Sequence, residues 1–107
     1  MRGASKPNLR PGVSTVEVIK VSANSRTSAV AGAIAGVIRD HQHAEVQTIG
    51  AGAVNQAIKA MVLASQYLKE EGVRIAFTPV FVDIAIDGNT RTGIKLIVEP
   101  RAAVVEE

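Results

Sequence analysis

Val30, Ile34, Val37 and Ile38 fall at i, i+4, i+7 and i+8, so residues 27–41 form a helix with one apolar face. Two β-rich runs bracket it, Thr15 to Val21 and Glu45 to Ile49. Strand-helix-strand order narrows the possible folds sharply, because the crossover between two parallel strands is almost always right-handed. Between the first run and the helix, Ser22, Asn24 and Ser25 offer side-chain oxygens for a turn and a helix cap. Gly32 and Gly36 stand one turn apart on the helix flank, each unfavourable by about 1 kcal/mol relative to Ala. They imply a backbone that another element approaches closely.

The same unit then recurs. Gly50-Ala51-Gly52 makes a tight exit from the second strand into a second helix that runs to about Glu71 and is closed by Gly72. Val54, Ile58, Met61, Val62 and Leu68 share one face of it, and Gln56, Lys59, Leu63, Tyr67 and Glu70 the other. Leu63 and Tyr67, apolar outside the core stripe, mark a candidate self-association surface. From Arg74 to Asp87 the apolar parity shifts between Ile75 and Phe77 on one side and Val80, Val82, Ile84 and Ile86 on the other. Pro79 lies at the change and predicts a bulge or kink. Asp87, Gly88 and Asn89 form a hairpin turn, and a last strand runs from Arg91 to Glu99 before Pro100. The expected architecture is α+β, a two-layer sandwich of order β-α-β-α-β-β: a four-stranded mixed sheet with both helices on one face and the other face uncovered.

Composition sets the boundaries. A chain of 107 residues, 47% hydrophobic and 21% charged, is expected to be one small globular domain. Without Cys there is no disulfide, thiolate metal site or thiol nucleophile. Absence of a signal-like start or a long apolar run predicts a cytoplasmic protein with no membrane contact. The net charge of +2 is unevenly placed. Arg2, Lys6 and Arg10 stand in residues 1–14 without an acid, residues 15–100 balance to zero, and Glu106 and Glu107 outweigh Arg101 at the other end. The expected organisation is a flexible basic arm at 1–14, a domain at 15–101 and a short acidic tail at 102–107.

Lys20-Val-Ser-Ala, the block Ala29 to Arg39, the block Ile49 to Lys59 and the block Ile94 to Arg101 closely resemble the stage V sporulation protein S family. That family is similar in fold to the small archaeal chromatin protein Alba. The resemblance implies an Alba-like, nucleic-acid-binding regulator of sporulation or gene expression that acts as a homodimer or higher homo-oligomer. It also implies three contact segments: the loop after strand one, the start of helix two and the hairpin between the last two strands. On this chain they place Lys20, Asn24 and Arg26, then Asn55, Gln56 and Lys59, and finally Asn89 and Arg91. The first loop holds one Arg and no paired lysines, and the hairpin reads as only a few residues long instead of a basic arm.

The residues themselves add chemistry to that map. Backbone N–H groups at Gly50 and Gly52 can meet a phosphate at the positive end of helix two, although Gly-x-Gly alone is a weak nucleotide motif. Gln56 and Lys59 present donors to phosphate or base edges and equally fit a solvated helix face. Arg91 can hold a phosphate, while Asp83 and Asp87 stand close enough in sequence to neutralise it. His41 and His43 read as a solvated helix end and not as metal ligands. Phe77, Phe81 and Tyr67 are too few for a base-stacking platform, and Phe77 and Phe81 belong to a strand that feeds the core or sheet face. No catalytic constellation assembles, so the expectation is a non-enzymatic protein with no cofactor, metal or small-molecule substrate and with DNA or RNA as partner. The alternative is a protein-interaction or assembly module built on the uncovered sheet face and the Leu63 and Tyr67 side.

Overall fold

A computed structural model describes residues 18–102, so the basic arm at 1–14 and residues 103–107 of the tail lie outside the described residues. The elements are β1 (Val18–Val21), α1 (Thr27–His41), β2 (Ala44–Thr48), α2 (Ala51–Lys69), β3 (Ile75–Ile86) and β4 (Asn89–Pro100). They form the expected α+β sandwich, with one four-stranded sheet in the order β1-β2-β4-β3. β1 and β2 pair in parallel, and β4 runs antiparallel to both β2 and β3. The second crossover therefore carries β3 two strand positions beyond β2, and β4 folds back into the space between them.

Helix α1 matches the spacing of its apolar residues from Thr27 to His41. Its N-cap position is Arg26, without a side-chain cap, because the serines are used within the turn itself. Ser22 N–H donates to Ser25 Oγ at 2.9 Å, and Asn24 N–H to Ser22 Oγ at 3.2 Å. Gly32 and Gly36 do not mark a close approach: a Cβ at either position would meet nothing within 4 Å.

Helix α2 is rotated from the face that its large apolar residues predict. The buried stripe is Ala53, Ala57, Ala60, Met61, Ala64 and Leu68, while Val62 is 54% exposed and Leu63 packs partly buried against the core. Alanine adds little to an apolar periodicity, yet it permits the close approach of α2 to α1 and the sheet, where Ile34, Ile38, Val46, Leu96 and Val98 complete the core. Gly72, with φ +79°, ends the helix region as expected, and Val73 N–H returns to Leu68 O at 3.0 Å.

Pro79 produces no bulge. Pairing of β3 with β4 runs unbroken from Ile75 opposite Pro100 to Ile86 opposite Asn89. The two-residue turn at Asp87 and Gly88, with φ +51° and +80°, makes Ile86 and Asn89 a hydrogen-bonded pair, so even-numbered β3 residues bond to β4. Arg101 N–H on Arg74 O at 2.8 Å keeps the same parity. Pro79 has the opposite parity on an edge strand, and its missing donor would have pointed away from the ladder. The two apolar sets of β3 are thus two faces of one regular strand: Phe77, Pro79 and Phe81 lie opposite Val98, Leu96 and Ile94 on the helix side, and Val80, Val82, Ile84 and Ile86 lie on the open side.

Replacing Ala60 with Leu should destabilise the protein by about 1–3 kcal/mol through overpacking, whereas Val62→Leu should change stability by less than about 0.5 kcal/mol. Urea unfolding distinguishes this burial from the reverse.

Candidate nucleic-acid interface

The parallel β1 and β2 end at the same side of the sheet, so the loop after β1 and the N-terminus of α2 are neighbours there. β4 pairs with β2 only from Ile94 to Val98, with Thr48 opposite Ile94. Residues 89–93 of β4 and their β3 partners project past β2 at that same end, by about 17 Å at ~3.4 Å per residue. This is longer than the hairpin expected from the sequence. At its root, a Cβ on Gly93 would run into the Thr48 carbonyl oxygen and Ile84 Cδ1, so only glycine fits where the arm leaves the sheet.

All three expected contact segments therefore occupy one end of the molecule, although their residues are not equivalent. Gly50, with φ +92°, turns the chain into α2, and a Cβ on Gly52 would lie 2.8 Å from Ala23 Cβ. Gly52 lets the first turn of α2 press on the β1–α1 loop. Gln56 closes the contact: its Nε2 donates to Ser25 O at 2.8 Å and to Thr27 Oγ1 at 3.3 Å. Its amide donors are held within the fold, and it positions the loop. Asn24, Arg26, Asn55 and Lys59 remain exposed around the start of α2, which has no acidic residue in its first turn. The positive helix end therefore faces outward uncompensated from within the helix.

On the hairpin, Asn89 and Arg91 are exposed. Arg91 lies opposite Ile84, while Asp83 lies opposite Thr92 on the other face of the ribbon. Among the described residues neither Arg91 nor Lys20, Arg26 or Lys59 forms an ion pair. Lys20 shares this end but, opposite Gln47, belongs to the open sheet face. The cations thus wrap around an end and do not line a single cleft. Such an arrangement suits an extended polyanion better than a small ligand.

Leu63 and Tyr67 do not form one free patch, since Leu63 packs against the core and Tyr67 is 39% exposed. The stronger apolar surface lies on the other flank of α2, along edge strand β3. There Ile58, Met61, Val62 and Phe77 line a groove, and further along the strand Pro79 and Phe81, which is 81% exposed, line a second apolar depression. The sequence signal was the odd parity shared by Phe77 and Phe81, obscured by assigning both to the core or sheet face.

His43 also departs from expectation. It lies beyond α1 at the entry to β2, with Nδ1 2.9 Å from Glu99 Oε2 and Nε2 3.2 Å from Glu45 Oε2. Both nitrogens can donate together only when the ring is an imidazolium. Burial works against that charge, but the hydrogen bonds to Glu45 and Glu99 outweigh it and hold the His43 pKa above its ordinary value. The His43 hydrogen bond, opposed by burial and reinforced by Lys95 at 3.2 Å, holds Glu45 below the usual carboxylate range. Among the described residues no group of three or more His, Cys, Asp or Glu side chains is placed so that it could hold a metal ion.

The strand order, the two helices on one face and the projecting hairpin define an α+β sandwich of the Alba-like class. The family model for Stage V sporulation protein S (SpoVS) matches residues 17–101, and the chain belongs to that family. Membership points to a sporulation-related role. No helix among the described residues is long and apolar enough to cross a membrane.

A histidine with a raised folded-state pKa adds stability that is complete below its unfolded pKa and is lost as pH rises through the folded value. Glu45, with its depressed pKa, adds stability above the unfolded carboxylate range that is lost on acidification. Wild-type stability should therefore fall as pH is raised from mildly acidic to mildly alkaline relative to His43→Ala. Parallel thermal unfolding series of the two proteins check this, and identical profiles would contradict it.

Proposed function

We propose that the protein is a non-enzymatic regulator that contacts the sugar-phosphate backbone of DNA or RNA as a dimer and thereby influences sporulation or gene expression. The observation that carries the reading is the convergence of unpaired Arg26, Lys59 and Arg91 with the open N-terminus of α2 at the end from which the hairpin projects. Phosphates near Arg26 and Lys59 also meet the positive helix end, and the hairpin extends the contact along the strand. Asn24, Asn55 and Asn89 add neutral donors at the same end. Family membership supports the sporulation setting.

For the dimer, support comes from the groove between α2 and β3. Pro79 removes a donor from the free edge, so a second copy would dock there by side chains such as Val62, Phe77 and Phe81 and not by continuing the sheet. Phe81→Asp should shift sedimentation to monomer while circular dichroism shows the variant folded. An unchanged sedimentation profile removes this surface from the dimer.

Anisotropy titrations of labelled duplex DNA, single-stranded DNA and RNA at several salt concentrations test the nucleic-acid reading. Each phosphate contact contributes about 0.9 to the slope of log affinity against log salt for duplex DNA, so Lys59→Ala and Arg91→Ala should each flatten it by about that amount. Neutralising Arg2, Lys6 and Arg10 in the full chain measures the arm separately. Absence of binding, with self-association retained and lost in Phe81→Asp, would favour the assembly-module reading that the exposed groove also supports.

A further inference from the structure

A second group of cations lies at the opposite end of the molecule. Helix α2, 19 residues long, spans about 28 Å, so Lys69 in its last turn lies at the end away from its N-terminus and the hairpin, about 15 Å along the axis from Lys59. Arg74 and Arg101 flank the adjoining end of the sheet as cross-strand neighbours, joined through their backbones at 2.8 Å. Lys69, Arg74 and Arg101 line one cleft together with Ser65.

Among the described residues the surrounding acids do not neutralise this cleft. Glu71 is held by the Arg39 guanidinium, whose Nη2 lies 2.6 Å from Glu71 Oε2. Glu99 is turned to His43. Glu70 is exposed and is not part of the lining. Among the described residues none of the three cations forms an ion pair. Lys69 offsets the negative end of α2, and the two guanidinium groups supply the remaining charge together with planar, paired donors that match phosphate oxygens. All three side chains belong to exposed residues. Exposed cations without a buried polar partner suit the repeating phosphates of a nucleic acid more than a stereospecific small anion.

We infer that Lys69, Arg74 and Arg101 form a second phosphate-backbone site, which lets one domain hold a second nucleic-acid segment at the end opposite the first. This inference rests on the nucleic-acid reading above.

The test uses the full chain in the Phe81→Asp background throughout, so that two first interfaces joined in a dimer cannot bridge, with one biotinylated and one fluorescent fragment of the nucleic acid bound most tightly in the titrations. The chain with Lys69, Arg74 and Arg101 intact should retain the fluorescent fragment on streptavidin. The triple variant Lys69→Ala, Arg74→Ala, Arg101→Ala should lose at least about tenfold of that retention while its affinity for a single fragment changes less than about threefold. Circular dichroism confirms that the variant is folded. Undiminished retention by the folded triple variant overturns the second site, as does an equal loss of single-fragment affinity, which would merge the cluster with the first interface. A Phe81→Asp chain that binds single fragments without retaining a second overturns this inference alone, whereas one that binds neither overturns both readings.

Discussion

The fold depends on β4 lying between β2 and β3. That insertion fixes the register in which Thr48 meets Ile94, and the register decides which end of the sheet the hairpin leaves. With β4 antiparallel to β2, its first residues can emerge only where β2 ends and α2 begins. A glycine at position 93 is the local condition for this passage, because the Thr48 carbonyl occupies the space of a side chain. The candidate interface is thus a consequence of topology: three segments distant in sequence are brought to one end by strand direction.

Close packing within the helical layer serves the same end. The alanine stripe of α2 brings its backbone against α1 and the sheet, and Gly52 and Gln56 attach its first turn to the β1–α1 loop. Cations on the loop and helix consequently share a frame set by backbone contact. The flank of α2 beyond the stripe leaves Val62 and the phenylalanines of β3 exposed, which is where a second copy has apolar area to cover. At the far end, Arg39 with Glu71 and His43 with Glu45 and Glu99 engage carboxylates that would otherwise screen neighbouring cations.

Much of this was legible in the sequence. The spacing of Val30, Ile34, Val37 and Ile38 places α1 over about Thr27 to His41, and the order of elements with both helices on one face follows from the alternation of periods. The segments holding Arg26, Lys59 and Arg91 were also identifiable. The rotation of α2 was not, because alanines that decide a close contact carry little weight in a pattern of large apolar residues. Pro79 misled for a different reason: the parity of its missing donor depends on the turn at Asp87 and Gly88 and on edge position, both properties of pairing. Gln56 appears as a surface donor until the loop it binds is placed beside it, and the partners of His43 lie on two strands.

The most direct test is a backbone amide NMR titration of the full chain with a short nucleic-acid fragment, followed to saturation. The strongest shifts at substoichiometric fragment should fall on Arg26, Asn55, Lys59, Asn89 and Arg91, with Phe77 and Phe81 little affected. Shifts concentrated along the α2–β3 groove, or spread over the open sheet face with that end unperturbed, would contradict the account.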